Sequence, residues 1–391
     1  MPLTRRAISP RPDWRQTARD IDYGYFTNAD KTEAWNENSA YFMTPDGYDQ
    51  IRKASERLFE MCLRVINEAI NTPNGLDAFH IPKMHQDYVR ASWNSPSINN
   101  FLIGRFDLAW HEGQIKLIEF NADTPATLPE STLMQQIWLR DYASTTGQKG
   151  LGNPGLRTDL ILDTLADIFA GGVCADVHIV PYPDNLEDAT HARYWQKWVT
   201  DAGGQGIICD IRSIRVNASG RYTHNGRVIQ TMLKMYPWEL MLREEGSRHL
   251  ATAHCDILNP AWTSLLSNKH LLVALWNKYP GDPLLLQTGY TPDGMTDYVA
   301  KPVHGRGGEN VSIFQDKTPL AQSPGSYGIF PMIYQERAKT TITPTSPVTT
   351  SVGAWILSSN GHFGGITFRE DRSPIIRESS AITPAALTHQ T

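Results

Sequence analysis

The chain has 391 residues, 40% of them hydrophobic, enough to bury a sizeable core in two or three subdomains. A formal net charge of -5 and a pI near 6.2 exclude the cationic footprint of a nucleic-acid or anionic-membrane binder and favour work on small molecules. No apolar run approaches the roughly 18 to 20 residues of a bilayer span, the basic start MPLTRRAISPRPDW has no apolar stretch behind it, and Cys62, Cys174, Cys209 and Cys255 are scattered without CxxC spacing, so a reduced cytoplasmic protein is expected.

Along the chain, Thr44 reads as an N-cap with Pro45 in the first helical position, and Ile51, Leu58, Met61, Val65 and Ile66 recur at helical spacing to about Ile70. In FHIPKMH, His80 and His85 lack a second ligand pair, so no zinc site is expected. Residues 104–123, GRFDLAWHEGQIKLIEFNAD, read as a β-hairpin turning at His111-Glu112-Gly113-Gln114. ESTLMQQIWLRDY and GLRTDLILDTLADIFAGG read as helices, the second closed by glycines. VHIVPY, NLEDATHARYWQKWVTDAGG and QGIICDI form a strand-helix-strand unit. The turns at Asn217 to Gly220 and Asn225-Gly226 mark short antiparallel strands ending near VIQTMLKMYP, an added ribbon. WELMLREEGSRHL and SNKHLLVALWNKY read as helices, the second capped by Ser267 or Asn268. From Tyr298, the segments YVAKPV, VSIFQ, MIYQER, VGAWIL and GGITFRE read as antiparallel strands, with a Thr/Pro/Ser-rich loop at 340–351. The chain thus changes character near residue 260, from an α/β part (1–260) to an α+β part (261–391).

The hairpin carries a charge in each apolar strand. If pairing centres on Gly113, Asp107 faces Glu119, Asn121 shares that face and Arg105 stands opposite Asn121. Opposed carboxylates repel unless a cation lies between them, and two carboxylates with an amide suit hard Mg²⁺. An exposed hairpin with a solvated face fits the same pattern. In YVAKPVHGRGGENVSIF, Gly305, Gly307 and Gly308 form a loop whose backbone N-H groups can approach phosphate, flanked by strands rather than by a Walker A helix. Lys301 ends the incoming strand within reach of nucleotide phosphates, and Arg306 covers the reacting group; an ordinary glycine hairpin with a solvated lysine fits this stretch equally well. Lys269 begins a helix, where anions are favoured, as surface lysines often do. MIYQER ends in Gln335 and Glu336, suited to the edge of an adenine pocket, and Arg369 ends a strand beside Glu370, Asp371 and Arg372, as in a surface ion-pair cluster too.

The stretches GRFDLAW, LIEFNADTP, LSNKHLL, AKPVHGRGGENVSIF, MIYQ, VGAWI and GITFREDR, in this order, resemble the glutathionylspermidine synthase family, in particular its stand-alone synthetase homologues without the amidase domain. The resemblance runs from about Arg11 to Arg372. It implies a permuted ATP-grasp fold with an N-terminal pre-ATP-grasp α/β region, in which the early hairpin joins the C-terminal ATP-binding sheet. It implies Asp107, Glu119 and Asn121 as metal ligands, Lys269 and Lys301 as nucleotide lysines, and Arg306 in the glycine-rich lid (301–311). Arg369 falls near the acyl phosphate, Arg105 beside the substrate carboxylate, Thr124 toward a thiol-peptide substrate, and Glu187 and Asp188 near the amine. The implied activity is ATP- and Mg²⁺-dependent ligation of a small acid such as glutathione to an amine such as a polyamine, through an acyl phosphate. The rival is a homologue that binds ATP without catalysis. Three departures stand out: Glu309 adds a carboxylate to the glycine loop, the 337–351 segment is atypical, and Ala126 replaces a second hydroxyl.

Overall fold

The computed structural model describes residues 2–28, 30–344 and 346–388; Thr345, in the predicted 340–351 loop, lies outside the described residues. The helix Pro45–Asn71 forms as the spacing requires: the Thr44 side chain accepts the Gly47 N-H at 3.2 Å, and Ile51, Leu58, Met61, Val65, Ile66 and Ile70 are buried along one stripe. Removing the cap with Thr44→Ala is expected to cost about 1 kcal/mol of stability, measurable by urea denaturation, without changing the site.

The predicted hairpin consists of Ile103–His111 and Gln114–Asn121, joined by Glu112 and Gly113 at φ 49° and 87°. Both central residues of this two-residue turn are left-handed, which matches the twist of the strands. Near the tip His111 faces Gln114 and Leu108 faces Leu117, one residue short of the predicted register. A bulge that leaves Ile118 unpaired then restores it, so Asp107 faces Glu119 and Arg105 faces Asn121. Thr349–Leu357 pairs with the other edge of Ile103–His111 and continues into His362–Asp371 and Ala381–Thr383. The early hairpin and the last strands therefore share one antiparallel sheet, as the resemblance implies, and that sheet crosses the division drawn near residue 260.

A second, parallel sheet has the order Asp256–Leu258, Thr231–Lys234, Asp176–Val180, Gln205–Ile208. The helix Leu186–Asp201 connects its last two strands in right order for the predicted unit. The ribbon assignment of VIQTMLKMYP is corrected: the ribbon is confined to Arg215–Val216, Tyr222–His224 and Arg227–Val228, and Thr231–Lys234 is an inner parallel strand. All four of its residues are buried, because a strand covered on both faces has no polar side to alternate with. WELMLREEGSRHL is likewise not one helix but a short α-helix, Trp238–Met241, and a 3₁₀ turn, Glu245–His249. ESTLMQQIWLRDY begins as a π-helical turn, Glu130–Met134, before the α-helix Gln135–Thr146. A third sheet, antiparallel, orders Thr288–Gly289, Met332–Glu336, Tyr298–Pro302, Ser312–Gln315 and Thr318–Gln322.

Asn259 joins the parallel sheet to the hairpin. Its amide donates to the Ile103 and Ala122 carbonyls at 2.7 and 2.8 Å, and its Oδ1 accepts the Leu102 N-H at 2.7 Å. The base of both hairpin strands is thus fixed from one buried side chain. Among the described residues no helix is long and apolar enough to cross a membrane.

Candidate active site

Alternation places Arg105 and Asp107, Glu119 and Asn121, Ser351 and Gly353, and Thr367 and Arg369 in successive rows on one face of the hairpin sheet. Arg105 lies across its neighbours: Nε and Nη2 donate to the two Asp107 oxygens at 2.7 and 3.2 Å, and Nη1 to the Ala126 carbonyl at 2.8 Å and the Thr127 hydroxyl at 3.1 Å. Gly353 makes room for it, since a Cβ there would lie 2.8 Å from Arg105 Cδ. Arg369 approaches Asp107 at 3.9 Å and donates through Nη2 to the Arg377 carbonyl. It is therefore part of this face rather than of a surface ion-pair cluster.

Two lysines close over the hairpin from the other side. Lys301, buried, donates at 2.8 Å to the carbonyl of Ile118, which the bulge leaves without a strand partner, and at 2.8 Å to Gln335 Oε1. Lys269 reaches Glu119 at 3.1 Å and the Gly305 carbonyl at 2.7 Å, linking the hairpin to the glycine loop. Burial lowers the Lys301 pKa to about 7, Lys269 adding to the effect against the pull of Glu119. Burial would raise Glu119, but Lys269 and Lys301 overcome it and hold this carboxyl near 2. The opposed carboxylates of the hairpin are thus both ionically matched, Asp107 by arginine and Glu119 by lysine. Gln335 holds a lysine, while Glu336 lines the same cavity beside the 337–340 segment.

Gly307 and Gly308 adopt φ 54° and 73°, and a Cβ on Gly308 would fall 2.4 Å from the Ile376 carbonyl oxygen. Glycine is required there by both conformation and contact. The Glu378 N-H donates to the Gly307 carbonyl at 3.1 Å. Glu309, the departure noted in the loop, accepts from the Ser326 N-H at 2.7 Å and the Ser326 hydroxyl at 3.1 Å, so it ties the loop to its neighbour. Arg306 does not stand free above the site. Its Nε and Nη2 donate to the two Glu239 oxygens at 2.8 and 3.1 Å, Nη1 to the Thr124 hydroxyl, and Nη2 also to Asp123 at 3.4 Å.

Two cavities meet here, one of about 360 Å³ and one of about 140 Å³. Glu119, Lys269, Gly305, Arg306, Gly307 and Arg369 line both. The smaller extends to Asp107, Lys301, Gln335 and Glu336; the larger to Asn121, Thr124, Glu187 and Asp188. The larger has an acidic wall, Glu130, Glu187, Asp188 and Glu378. Burial raises the Glu187 carboxyl to about 7, and Glu130, Asp188 and Glu378 reinforce it against His191. All sixteen candidate residues named from the sequence therefore line one or both of these connected cavities, Gly308 through the smaller.

The donor chemistry fits a hard cation: two opposed carboxylates and an amide one step along the same face. Among the described residues no three His, Cys, Asp or Glu side chains form a metal set, so such a site depends on Asn121 as its third ligand. Asn121 Oδ1 receives the Asp123 and Thr124 N-H groups at 3.4 and 3.3 Å.

Sequence reasoning missed Glu239, the acidic residues Glu130 and Glu378, and the fully buried pair of Lys234 with Asp123. Asp123 continues the 119, 121 alternation and carried a readable signal. Lys234, closing a buried apolar strand, carried a weaker one. Nothing local marks Glu239, whose importance comes from an arginine 67 residues away.

The family model described as glutathionylspermidine synthase preATP-grasp matches residues 5–388. A putative acid-amine ligase of Haemophilus influenzae is 26% identical over 389 residues, covering 96% of both chains. The bifunctional glutathionylspermidine synthetase/amidase of Escherichia coli (strain K12) is 27% identical over 378 residues, or 88% of this chain and 58% of that protein. Trypanothione synthetase of Crithidia fasciculata is 27% identical over 380 residues, or 85% of this chain and 56% of that one. The chain thus spans less than two thirds of the length of these two relatives. A solved apo structure of a glutathione synthetase-like effector from Globodera pallida superposes with a TM-score of 0.59 at 10% identity over 96% of each chain, a likeness of fold.

Proposed function

Because the chain belongs to the glutathionylspermidine synthase preATP-grasp family, we propose that it is an ATP- and Mg²⁺-dependent acid-amine ligase working through an acyl phosphate. The observation that carries this reading is the junction of the two cavities: Glu119, Lys269, Arg306 and Arg369 line both, with Asp107 and Lys301 on the smaller side and the wall of Glu130, Glu187, Asp188 and Glu378 on the larger. In the balanced reaction a substrate carboxylate oxygen attacks the γ-phosphorus of ATP and ADP departs. The amine nitrogen then attacks the acyl carbon, phosphate departs, and the amine gives up a proton.

Lys269 and Lys301 hold phosphate charge at the junction, with the glycine-loop N-H groups beside them. Mg²⁺ on Asp107, Glu119 and Asn121 would supply further positive charge against the phosphate oxygens. Arg105 and Arg369 orient the reacting carboxylate, and Thr124 and Arg306 face it from the larger cavity. Glu130, Glu187, Asp188 and Glu378 draw in a cationic amine, and Glu187, titrating near 7, accepts its proton. Positioning supplies much of the acceleration, since oriented reactants gain roughly 7 to 11 kcal/mol. The glycine loop, tied at Glu309, Gly307 and Arg306, excludes water that would hydrolyse the intermediate.

The test is ADP release in a screen of small peptides and polyamines, glutathione with spermidine first by family analogy. Turnover is expected only with acid and amine together, abolished by EDTA and restored by Mg²⁺. Acid alone with hydroxylamine should yield a hydroxamate. Mg-ATP binding in a thermal-shift assay with no turnover for any pair would assign a nucleotide-binding module without catalysis instead.

A further inference from the structure

We infer that Glu239 is the positioning residue of the glycine-loop arginine: its carboxylate receives Arg306 in two hydrogen bonds and fixes the guanidinium at the junction of the two cavities. The inference rests on the ligase reading above.

Glu239 belongs to the short helix after Pro237, on the parallel-sheet side of the larger cavity, whereas Arg306 belongs to the loop over the junction. The pair bridges two segments that no strand pairing connects. Its geometry is the fork of a guanidinium on a carboxylate, Nε to Oε1 at 2.8 Å and Nη2 to Oε2 at 3.1 Å, which sets the plane of the arginine as well as its place. Thr124 and Asp123 hold the remaining edge, and Asp123 is itself anchored by Lys234 and by the Trp238 N-H at 2.7 Å. The residue before Glu239 thus secures the second acid of the set. Stability alone does not account for this arrangement, because a desolvated ion pair gains little over an apolar pair of the same volume.

The loop has other ties. Lys269 holds the Gly305 carbonyl, the Glu378 N-H holds the Gly307 carbonyl, and Ser326 holds Glu309. Loss of Glu239 therefore removes the fork that sets the plane of the guanidinium, leaving it only Thr124 and Asp123, without unfastening the loop that covers the smaller cavity. That separation makes the role measurable: an arginine out of place lowers the rate of the chemical step and leaves nucleotide binding alone.

Glu239→Gln, in the full chain, is expected to lower kcat about a hundredfold, the effect of a small misplacement of a reacting group, with the KM for ATP within about twofold of the wild type. Arg306→Met should lower kcat by a similar factor. The double variant should lose little more than either single one, because both remove the same positioned guanidinium. A Glu239→Gln enzyme with wild-type kcat, or losses that multiply fully in the double variant, would overturn the assignment. If Glu239→Gln does not fold, Glu239→Asp, which keeps the charge and shortens the reach, is judged by the same two criteria. If the wild type binds Mg-ATP but turns over no acid and amine pair, the ligase reading fails, and hydrogen exchange then judges Glu239. An Arg306 Nε-H exchanging faster in Glu239→Gln would uphold the anchoring of the guanidinium, and unchanged exchange of that proton would sink it.

Discussion

A Glu119→Gln variant is expected to lose about 4 kcal/mol of transition-state stabilisation, roughly a thousandfold in turnover. The same variant should lose the Mg²⁺ dependence of ADP binding. Glu119 stands opposite Asp107, touches Lys269, and faces both cavities, so one carboxylate serves the proposed metal set and the lysine that reaches the glycine loop. Its charge is matched to Lys269 and Lys301, which hold it near 2. Removing the charge takes away the carboxylate that favours both ammonium groups, so Lys301, which burial already lowers to about 7, shifts further toward its neutral form. The cost of the substitution therefore falls on ligand binding and chemistry more than on folding. Initial rates at saturating substrates, ADP titrations with and without Mg²⁺, and a melting curve separate these effects. Unchanged turnover in Glu119→Gln would dismiss the metal assignment of the hairpin.

Nucleotide affinity should fall as pH rises from about 7.5 to about 9, and Lys301→Met should abolish that dependence. The free protein holds Lys301 at about 7 because burial disfavours its charge. A bound phosphate chain favours the ammonium, so binding takes up a proton wherever the free lysine is neutral. Above about 7 the affinity then declines by up to tenfold per pH unit, beyond the titration of the phosphate itself near pH 6. Calorimetry in buffers of different ionisation heat reads the proton directly, and no proton uptake at pH about 8.5 would contradict the placement of phosphate at Lys301. The sign for folding follows from the same shift. The folded pKa lies below the ordinary lysine value of 10.5 that holds in the unfolded chain, so the unfolded state binds more protons between about 7 and 10.5. The cost of holding Lys301 is full below about 7 and is relieved as pH climbs through that window. In the apo protein this residue's contribution to stability thus improves with pH where its contribution to nucleotide affinity declines.

The hairpin shows how far local pattern reaches. Alternation put Asp107, Glu119 and Asn121 on one face, and the structure agrees at those positions. Yet the turn is a two-residue loop whose own register would have set Glu119 on the other face, and the bulge at Ile118 corrects it. The same bulge releases the carbonyl that Lys301 binds. Agreement at the site came from a backbone irregularity that no side-chain period encodes. Thr231–Lys234 shows the opposite outcome: a short apolar run beside antiparallel turn signals reads locally as part of the ribbon, while burial on both faces makes it an inner parallel strand.

Composition and motif order by themselves determined the class of molecule, a mixed α/β chain with a capped early helix, an acidic hairpin, a glycine loop and the lysines and arginines around it. These are properties of neighbouring residues, written in periods of two and 3.6 and in turn chemistry. Only the tertiary structure decided that Arg306 rests on Glu239, that Asp123 is paired with Lys234, that Gly353 yields its space to Arg105, and that Glu130 and Glu378 complete one acidic wall. Each of these joins segments far apart in the chain, where the partner of a charge is set by how sheets and loops pack against one another. Burial then makes such partners obligatory, since a charge removed from water without one costs several kcal/mol.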